Sequence, residues 1–163
     1  MVPTCTVTGA PGRKVSERTL THLLREEVLP SAAGRDWFFC PDPDCDVVYF
    51  TADGETLSKD ALTVRVGLKE SAPPRPLCYC FGYDIEDVER EAAASEESAI
   101  AAAITEECRQ GLDRCEETNP QGSCCLGNVR RAFQEARQGL RGGAAEAGDH
   151  HDCCATRPRK EGT

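Results

Sequence analysis

The sequence predicts an α+β chain of two very small domains: a β-ribbon/helix unit at residues 1–70 and an all-α unit at residues 71–141. A tail at residues 142–163 is expected to stay disordered. Three observations carry this reading. Apolar residues fall in short β-like runs as far as Val66 and take up helical spacing from Asp84 onward. Between these regions, residues 68–76 read LKESAPPRP, a polar, proline-rich stretch that favours an extended linker and marks the domain boundary. Finally, the chain of 163 residues is only 39% apolar and carries 11 cysteines. Two such small units have thin cores and need another source of stability.

The elements follow in order. Leu20, Leu23, Leu24 and Val28 recur at helical spacing and predict an amphipathic helix over residues 17–29. Ser16 is its N-cap, and Pro30 with Gly34 ends it. Trp37-Phe38-Phe39 and Val47-Val48-Tyr49-Phe50 are β-like runs separated by a Pro/Asp turn flanked by Cys40 and Cys45. Asp53-Gly54 marks a further turn, and Leu62, Val64 and Val66, alternating with Thr63, Arg65 and Gly67, suggest a third strand. In the second half Asp84 caps a helix to about Ala92. Residues 95–112 form another, with Ile100, Ile104 and Leu112 on one stripe. The loop Thr118-Asn119-Pro120-Gln121-Gly122 breaks that helix. The last helix runs from about Cys125 to Leu140 with Leu126, Val129, Phe133 and Leu140 on one face. Beyond Gly142-Gly143 the chain is small and polar.

Composition excludes several function classes. The N-terminal residues MVPTCTVTGAPGRKV contain no apolar run of the kind a secretory signal needs, and no stretch approaches the length of a membrane span. A cytoplasmic location follows, where thiols stay reduced. The formal charge is −9, from 28 acidic and 19 basic residues, and the basic residues are scattered apart from Arg157, Arg159 and Lys160. Nucleic acid is therefore not the expected partner. No Ser/His/Asp or Cys/His catalytic pattern and no phosphate-cradling glycine loop is present, so an ordinary enzyme is not expected.

Reduced, clustered cysteines point to metal ions. Cys40 and Cys45 straddle a turn between two strands and can turn both thiolates toward one ion, with Cys5 as a third ligand. Structural zinc sites take four ligands, and Asp42, Asp44 or Asp46 could supply the fourth. The competing reading is that these cysteines are small buried hydrophobes. The second group is Cys78-x-Cys80, Cys115 and the pair Cys124-Cys125 beside a helix N-terminus. Four thiolates hold an iron–sulfur cluster, and the free N–H groups of the helix start offset its negative charge. Five cysteines compete for four places. Cys125, nearer the helix, is preferred over Cys124. A second zinc site and unmetallated thiols are the alternatives. Cys108 reads as a core residue within a helix, and His22 as a structural one. In the tail, His150, His151, Cys153 and Cys154 suit Cu(I), Zn(II) or another soft ion, or else form a chance cluster.

The strings FFCPDPDCDVVYF, TVRVGLKE, LCYCFG and TNPQGSCC, in this order, resemble the N-terminal region of the iron–sulfur type of the copper chaperone CopZ family, over roughly residues 4–140. The resemblance implies a zinc-binding domain, followed by a [2Fe-2S] domain similar to the bacterioferritin-associated ferredoxin. It implies zinc on Cys5, Cys40 and Cys45, and a [2Fe-2S] cluster on Cys78, Cys80, Cys115 and the Cys124/Cys125 pair. Two positions depart from the family. Where some members carry a second cysteine three residues after the first, this chain has Thr8. Fuller members also have a C-terminal copper-binding domain with an M-x-C-x-x-C motif, whereas this sequence has a single Met and no C-x-x-C. The His/Cys tail is a possible minimal substitute.

What the resemblance implies for function is a cytoplasmic metallochaperone that couples one-electron reduction of Cu(II) to thiolate capture of Cu(I). It would hand Cu(I) to an efflux ATPase or a metal-responsive regulator. The rival expectation is a ferredoxin-like electron-transfer module that carries no copper, its acidic surface steering it to a basic partner.

Overall fold

The computed structural model describes residues 1–141; residues 142–163, with His150, His151, Cys153 and Cys154, lie outside the described residues. The protein is a mixed sheet-and-helix molecule.

The first half is a four-stranded antiparallel sheet in sequence order: β1 (Arg13–Lys14), β2 (Phe38–Phe39), β3 (Val47–Phe50) and β4 (Thr56–Ser58). The aromatic and β-branched residues of β2 and β3 pair as the sequence suggested, with Phe39 opposite Tyr49. All four residues of β3 are buried. Val48 and Tyr49 join a core with Leu20, Leu24 and Trp37, whereas Val47 and Phe50 pack against the cysteines Cys5, Cys40 and Cys45. A register shift between Val47 and Tyr49 against β4 lets one short strand serve both clusters.

The expected helix over residues 17–29 is split. Helix α1 (Glu17–Leu23) begins at Ser16, whose side chain accepts the Thr19 N–H, and stops at Leu24 in extended conformation. Leu24 bridges Leu62, the Arg25 N–H reaches the Ala61 carbonyl, and the Thr63 N–H reaches that of Leu23. Tertiary pairing thus takes over backbone groups that a longer helix would have used. A short α2 (Leu29–Ala32) follows with Pro30 in its first turn, so Pro30 helps begin a helix and does not end one, as its fixed φ and missing N–H allow. The same pairing corrects the third strand: Leu62 makes only that bridge, the fourth strand is Thr56–Ser58, and 3₁₀ turns flank the segment at Lys59–Ala61 and Gly67–Lys69.

The segment 68–76 is not an open linker. Leu68 packs against both the sheet core and the helical core, Lys69 is buried, and Pro76 begins a strand. Only Ser71–Pro74 is fully exposed. The chain returns so closely that a Cβ on Gly67 would lie 1.8 Å from the Pro76 carbonyl oxygen.

The second half is not all-α. It opens with a hairpin, β5 (Pro76–Cys78) and β6 (Tyr83–Asp84), before helices α3 (Ile85–Ala94), α4 (Ala99–Arg109), α5 (Cys115–Thr118) and α6 (Leu126–Arg141). Of the Cys/aromatic alternation only Cys78 and Tyr83 lie in strands; residues 79–82 form the turn, which Gly82 closes at a positive φ of 76°. Helix α3 starts with the Asp87 carboxylate accepting the Asp84 N–H, and α4 with the Ser98 side chain accepting the Ala101 N–H. The core holds Leu77, Val88, Ile104, Leu126, Val129 and Phe133. Helix α4 ends short of residue 112 because Gly111 takes a positive φ of 81°. Leu112 is consequently exposed, as is Leu140, so neither belongs to the apolar stripe expected of it. Cys108 is buried in the helical core as anticipated.

Candidate metal centres

Residues 5–10 form a tight loop. The Cys5 N–H donates to Ala10, the Gly9 N–H donates to Cys5, and Gly9 takes a φ of 74°. Strands β2 and β3 meanwhile bring Cys40 and Cys45 to the two ends of the Pro/Asp knuckle, shaped by the Asp44 N–H on the Asp42 carboxylate at 2.9 Å. The result is a buried group in which the three sulfurs lie within 4.8 Å of one another, Cys5 and Cys45 at 4.0 Å. A tetrahedral zinc with Zn–S bonds near 2.3 Å sets its thiolates about 3.8 Å apart, close to the 4.0 Å between Cys5 and Cys45, so the three-sulfur donor set fits the ion.

Electrostatics prepares the group for a cation. Burial opposes a charge on Cys5, but the backbone N–H groups of Thr8 and Val7 and the Thr8 hydroxyl bring its pKa down to about 7. Burial pushes the Cys45 thiol up, the Val47 N–H opposing it and the neighbouring Cys40 adding to the rise. Sulfurs packed together in this way are resolved by a positive ion.

No aspartate completes the group. The Asp42 carboxylate serves the knuckle, and Asp46, outermost and exposed, lies 3.8 Å from the Lys59 ammonium. The Thr8 hydroxyl lies 3.8 Å from Cys40 Sγ. A residue the sequence did not single out also stands here. Lys69 donates from Nζ to the Asp42 carbonyl at 2.6 Å and to the Cys45 carbonyl at 3.2 Å, with its ammonium 5.6 Å from the centre of the Phe39 ring. A lysine in a polar, proline-rich stretch reads as a solvated charge, and no local pattern reveals that it is buried.

The second group converges from three elements. Hairpin β5–β6 presents Cys78 and Cys80, α5 starts with Cys115, and Cys124 and Cys125 precede α6. Cys80 Sγ is 3.5 Å from Cys115 Sγ and 3.3 Å from the Thr118 hydroxyl, and accepts the Arg114 N–H at 3.1 Å. The Cys115 contact, with Thr118 and Arg114, lowers the Cys80 pKa to about 6 against the effect of burial. The Cys125 thiol lowers Cys78, helped by the Phe81 and Cys80 N–H groups. Cys115 is raised, first by Cys124, and Cys125 is raised, first by Cys115 and then by Cys124 and Cys78. All five cysteines thus share one network of contacts. Cys125 is buried at the start of α6, where the Val129 N–H returns to its carbonyl, while Cys124 is half-buried. These five cysteines, beside the start of a 16-residue helix and with the Arg114 N–H aimed at Cys80, are the soft sulfur donors that iron–sulfur clusters take, but among the described residues only Cys5, Cys40 and Cys45 bring three donor atoms within 4.8 Å of one another.

His22 belongs to neither group. It is exposed on α1, its Nδ1 hydrogen-bonded to the Arg18 carbonyl at 2.9 Å. The tail residues His150, His151, Cys153 and Cys154 lie outside the described residues.

A three-cysteine site on a small sheet, joined to a helical unit with a second cysteine group, defines the class of protein this chain is similar to. Residues 3–63 match the CopZ-type family described as a zinc binding domain. The chain resembles the copper chaperone CopZ of Archaeoglobus fulgidus, with 33% identity over 128 residues. That match covers 78% of this chain and 60% of that protein, so the chain spans less than two thirds of its curated relative. It also resembles the X-ray structure of the Archaeoglobus fulgidus CopZ N-terminal domain, with a TM-score of 0.66 and 28% identity over 78% of this chain and 95% of that one. Among the described residues, no helix is long and apolar enough to cross a membrane.

Proposed function

We propose that this protein is a cytoplasmic copper-handling metallochaperone and not an enzyme in the ordinary sense. The observation that carries this reading is the presence, in one small chain similar to a copper chaperone, of two separate cysteine groups of different make-up. Cys5, Cys40 and Cys45 hold zinc, which stabilises the N-terminal unit. Cys78, Cys80, Cys115 and Cys125, with Cys124 adjacent, hold a [2Fe-2S] cluster. Such a cluster supplies one electron at a time, the number that takes Cu(II) to Cu(I). The chain's own residues cover Cys78 and Cys125 with Leu77, Val88 and Leu126, and direct the Arg114 N–H at Cys80. His150, His151, Cys153 and Cys154 supply soft ligands that capture Cu(I), and an efflux ATPase or metal-responsive regulator receives it.

The test is anaerobic purification with iron, sulfide and zinc analysis and a visible spectrum, followed by Cu(I) titration of the full chain and of a chain ending before Asp149. The expected result is a coloured protein with zinc, whose cluster spectrum survives the truncation while stoichiometric Cu(I) binding is lost. A coloured protein with no specific Cu(I) affinity identifies a ferredoxin-like electron-transfer module instead. A colourless protein with two zinc ions overturns the cluster.

A further inference from the structure

The loop from Glu116 to Ser123, which joins Cys115 to Cys124 and Cys125, is held from outside its own unit. Tyr49, fully buried on β3, donates its hydroxyl to the Pro120 carbonyl at 2.5 Å. Thr19, also fully buried, donates from α1 to the Glu116 carbonyl at 2.5 Å. Arg13 on β1 reaches the Ser123 hydroxyl at 2.7 Å, and Arg18 on α1 pairs with Glu117, which also binds Arg114. The approach is close. Gly122 takes a φ of 69°, and a Cβ there would meet Thr19 Oγ1 at 3.1 Å and a Val15 methyl at 3.3 Å. The residue between Cys78 and Cys80 is tied in the same way: Tyr79 donates its hydroxyl to the Arg65 carbonyl at 2.5 Å and accepts the Gly67 N–H at 3.1 Å.

We infer that the N-terminal unit is the scaffold that positions the second cysteine group, with Tyr49 and Thr19 as its principal positioning residues. The physical reason is that the loop's own hydrogen bonds are short-range: the Glu117, Thr118, Asn119, Gln121 and Gly122 N–H groups close local turns, and Asn128 of α6 donates to the Gln121 side chain, which fixes the loop's shape and one end but leaves the Glu116 and Pro120 carbonyls to Thr19 and Tyr49. Asn119 and Gln121 bond it internally, through the Ser123 and Cys124 carbonyls, but α5 is a single turn and cannot fix where the loop lies. The buried hydroxyls of Tyr49 and Thr19 fix Pro120 and Glu116, and so set the separation of Cys115 from Cys124 and Cys125. Hydrogen bonds made in a buried setting with no competing water hold a defined geometry better than surface ion pairs do. The consequence for metal ions rests on the cluster reading proposed above; the positioning of the loop does not.

The experiment compares the full wild-type chain with Tyr49→Phe, Thr19→Val and the double variant, each loaded anaerobically with zinc, ferrous iron and sulfide. Zinc content, visible circular dichroism, reduction potential and the rate of iron loss to a ferrous chelator are measured. Iodoacetamide alkylation of Cys115 and Cys125 is followed by mass spectrometry in zinc-loaded, iron-free protein. The expected result is wild-type zinc content, an altered circular dichroism spectrum and potential, iron loss about tenfold faster per lost hydroxyl, and faster alkylation of both cysteines. Unchanged iron loss and alkylation overturn the inference. So does release of zinc in parallel with iron in both single variants, because that marks a general loss of folding. If wild-type protein takes up no iron, the cluster reading fails, and the alkylation rates alone decide whether the hydroxyls position the loop.

Discussion

The Lys69 ammonium lies 2.6 Å from the carbonyl oxygen of Asp42, inside the knuckle that carries Cys40 and Cys45. The contact is made by a side chain from the segment joining the two halves, and Lys69 is only 6% exposed. Burial lowers its pKa, while the nearby Cys40, Cys45, Asp42 and Cys5 favour the charged form. If Cys5, Cys40 and Cys45 hold zinc as proposed, three thiolates around a divalent ion would leave one net negative charge, beside which the Lys69 ammonium is already placed.

Lys69→Met should therefore leave the Asp42 and Cys45 carbonyls without their donor and weaken the zinc site. The expected cost is about 1–3 kcal/mol of stability, with faster zinc release to a chelator. Thermal unfolding and competition with a chromogenic zinc chelator check this. Wild-type zinc kinetics in the variant would show that Lys69 only fills space.

Cys125 interacts with Cys78, Cys115 and Cys124 and is the buried member of the vicinal pair. Cys125→Ser should reduce bound iron to about a tenth of wild type or less, whereas Cys124→Ser should retain the cluster. Iron and sulfide content with the visible spectrum decide, and the reverse pattern would assign Cys124 as the ligand.

Gly67 tests how tightly the two halves are joined. A methyl group there collides with the Pro76 backbone, which no rotamer can relieve, so Gly67→Ala should cost about 2 kcal/mol or more. Gly139, in α6 with nothing within 4 Å of a Cβ, is the control. Gly139→Ala should stabilise the chain by about 0.5–1 kcal/mol. Denaturant midpoints of the two variants should move in opposite directions.

The Glu86 carboxyl is one source of pH-dependent stability in the second unit, beside Glu117, which Arg18 and Arg114 also hold below its ordinary value. Burial alone would raise the Glu86 carboxyl, but hydrogen bonds from the Arg75 guanidinium and backbone N–H hold it below its ordinary value of 4.5. The folded pKa is depressed, so the contribution is present above pH 4.5 and is lost as pH falls below it. Glu86→Gln should lower stability at pH 7, and its difference from wild type should shrink as the solution is acidified below that value. A difference that stays constant with pH would remove Glu86 from this role.

Much of the candidate chemistry was legible in the residues. Cys40 and Cys45 around a Pro/Asp turn, and Cys78-x-Cys80 followed by a helical spacer, are local patterns whose spacing already limits where the sulfurs can point. Strands Phe38–Phe39 and Val47–Phe50, the Ser16 cap, the burial of Cys108 and the helices of the second half were likewise readable, because capping and periodicity act over a few residues. The contact of the Thr8 hydroxyl with Cys40 was not, since only the folded loop brings the two together.

The sequence by itself determined the kinds of ligand, their grouping and the identity of most helices, since these follow from side-chain chemistry and short-range spacing. The tertiary structure alone decided that α1 stops at Leu24, where pairing with residues 61–63 replaces helical hydrogen bonds. It alone made a folded junction of residues 67–76, placed Lys69 inside the knuckle and put Tyr49 against the loop of the other cysteine group. Each of these is a contact between residues about ten or more positions apart. Its energy comes from desolvated hydrogen bonds and close packing, which exist only once segments distant in sequence have met.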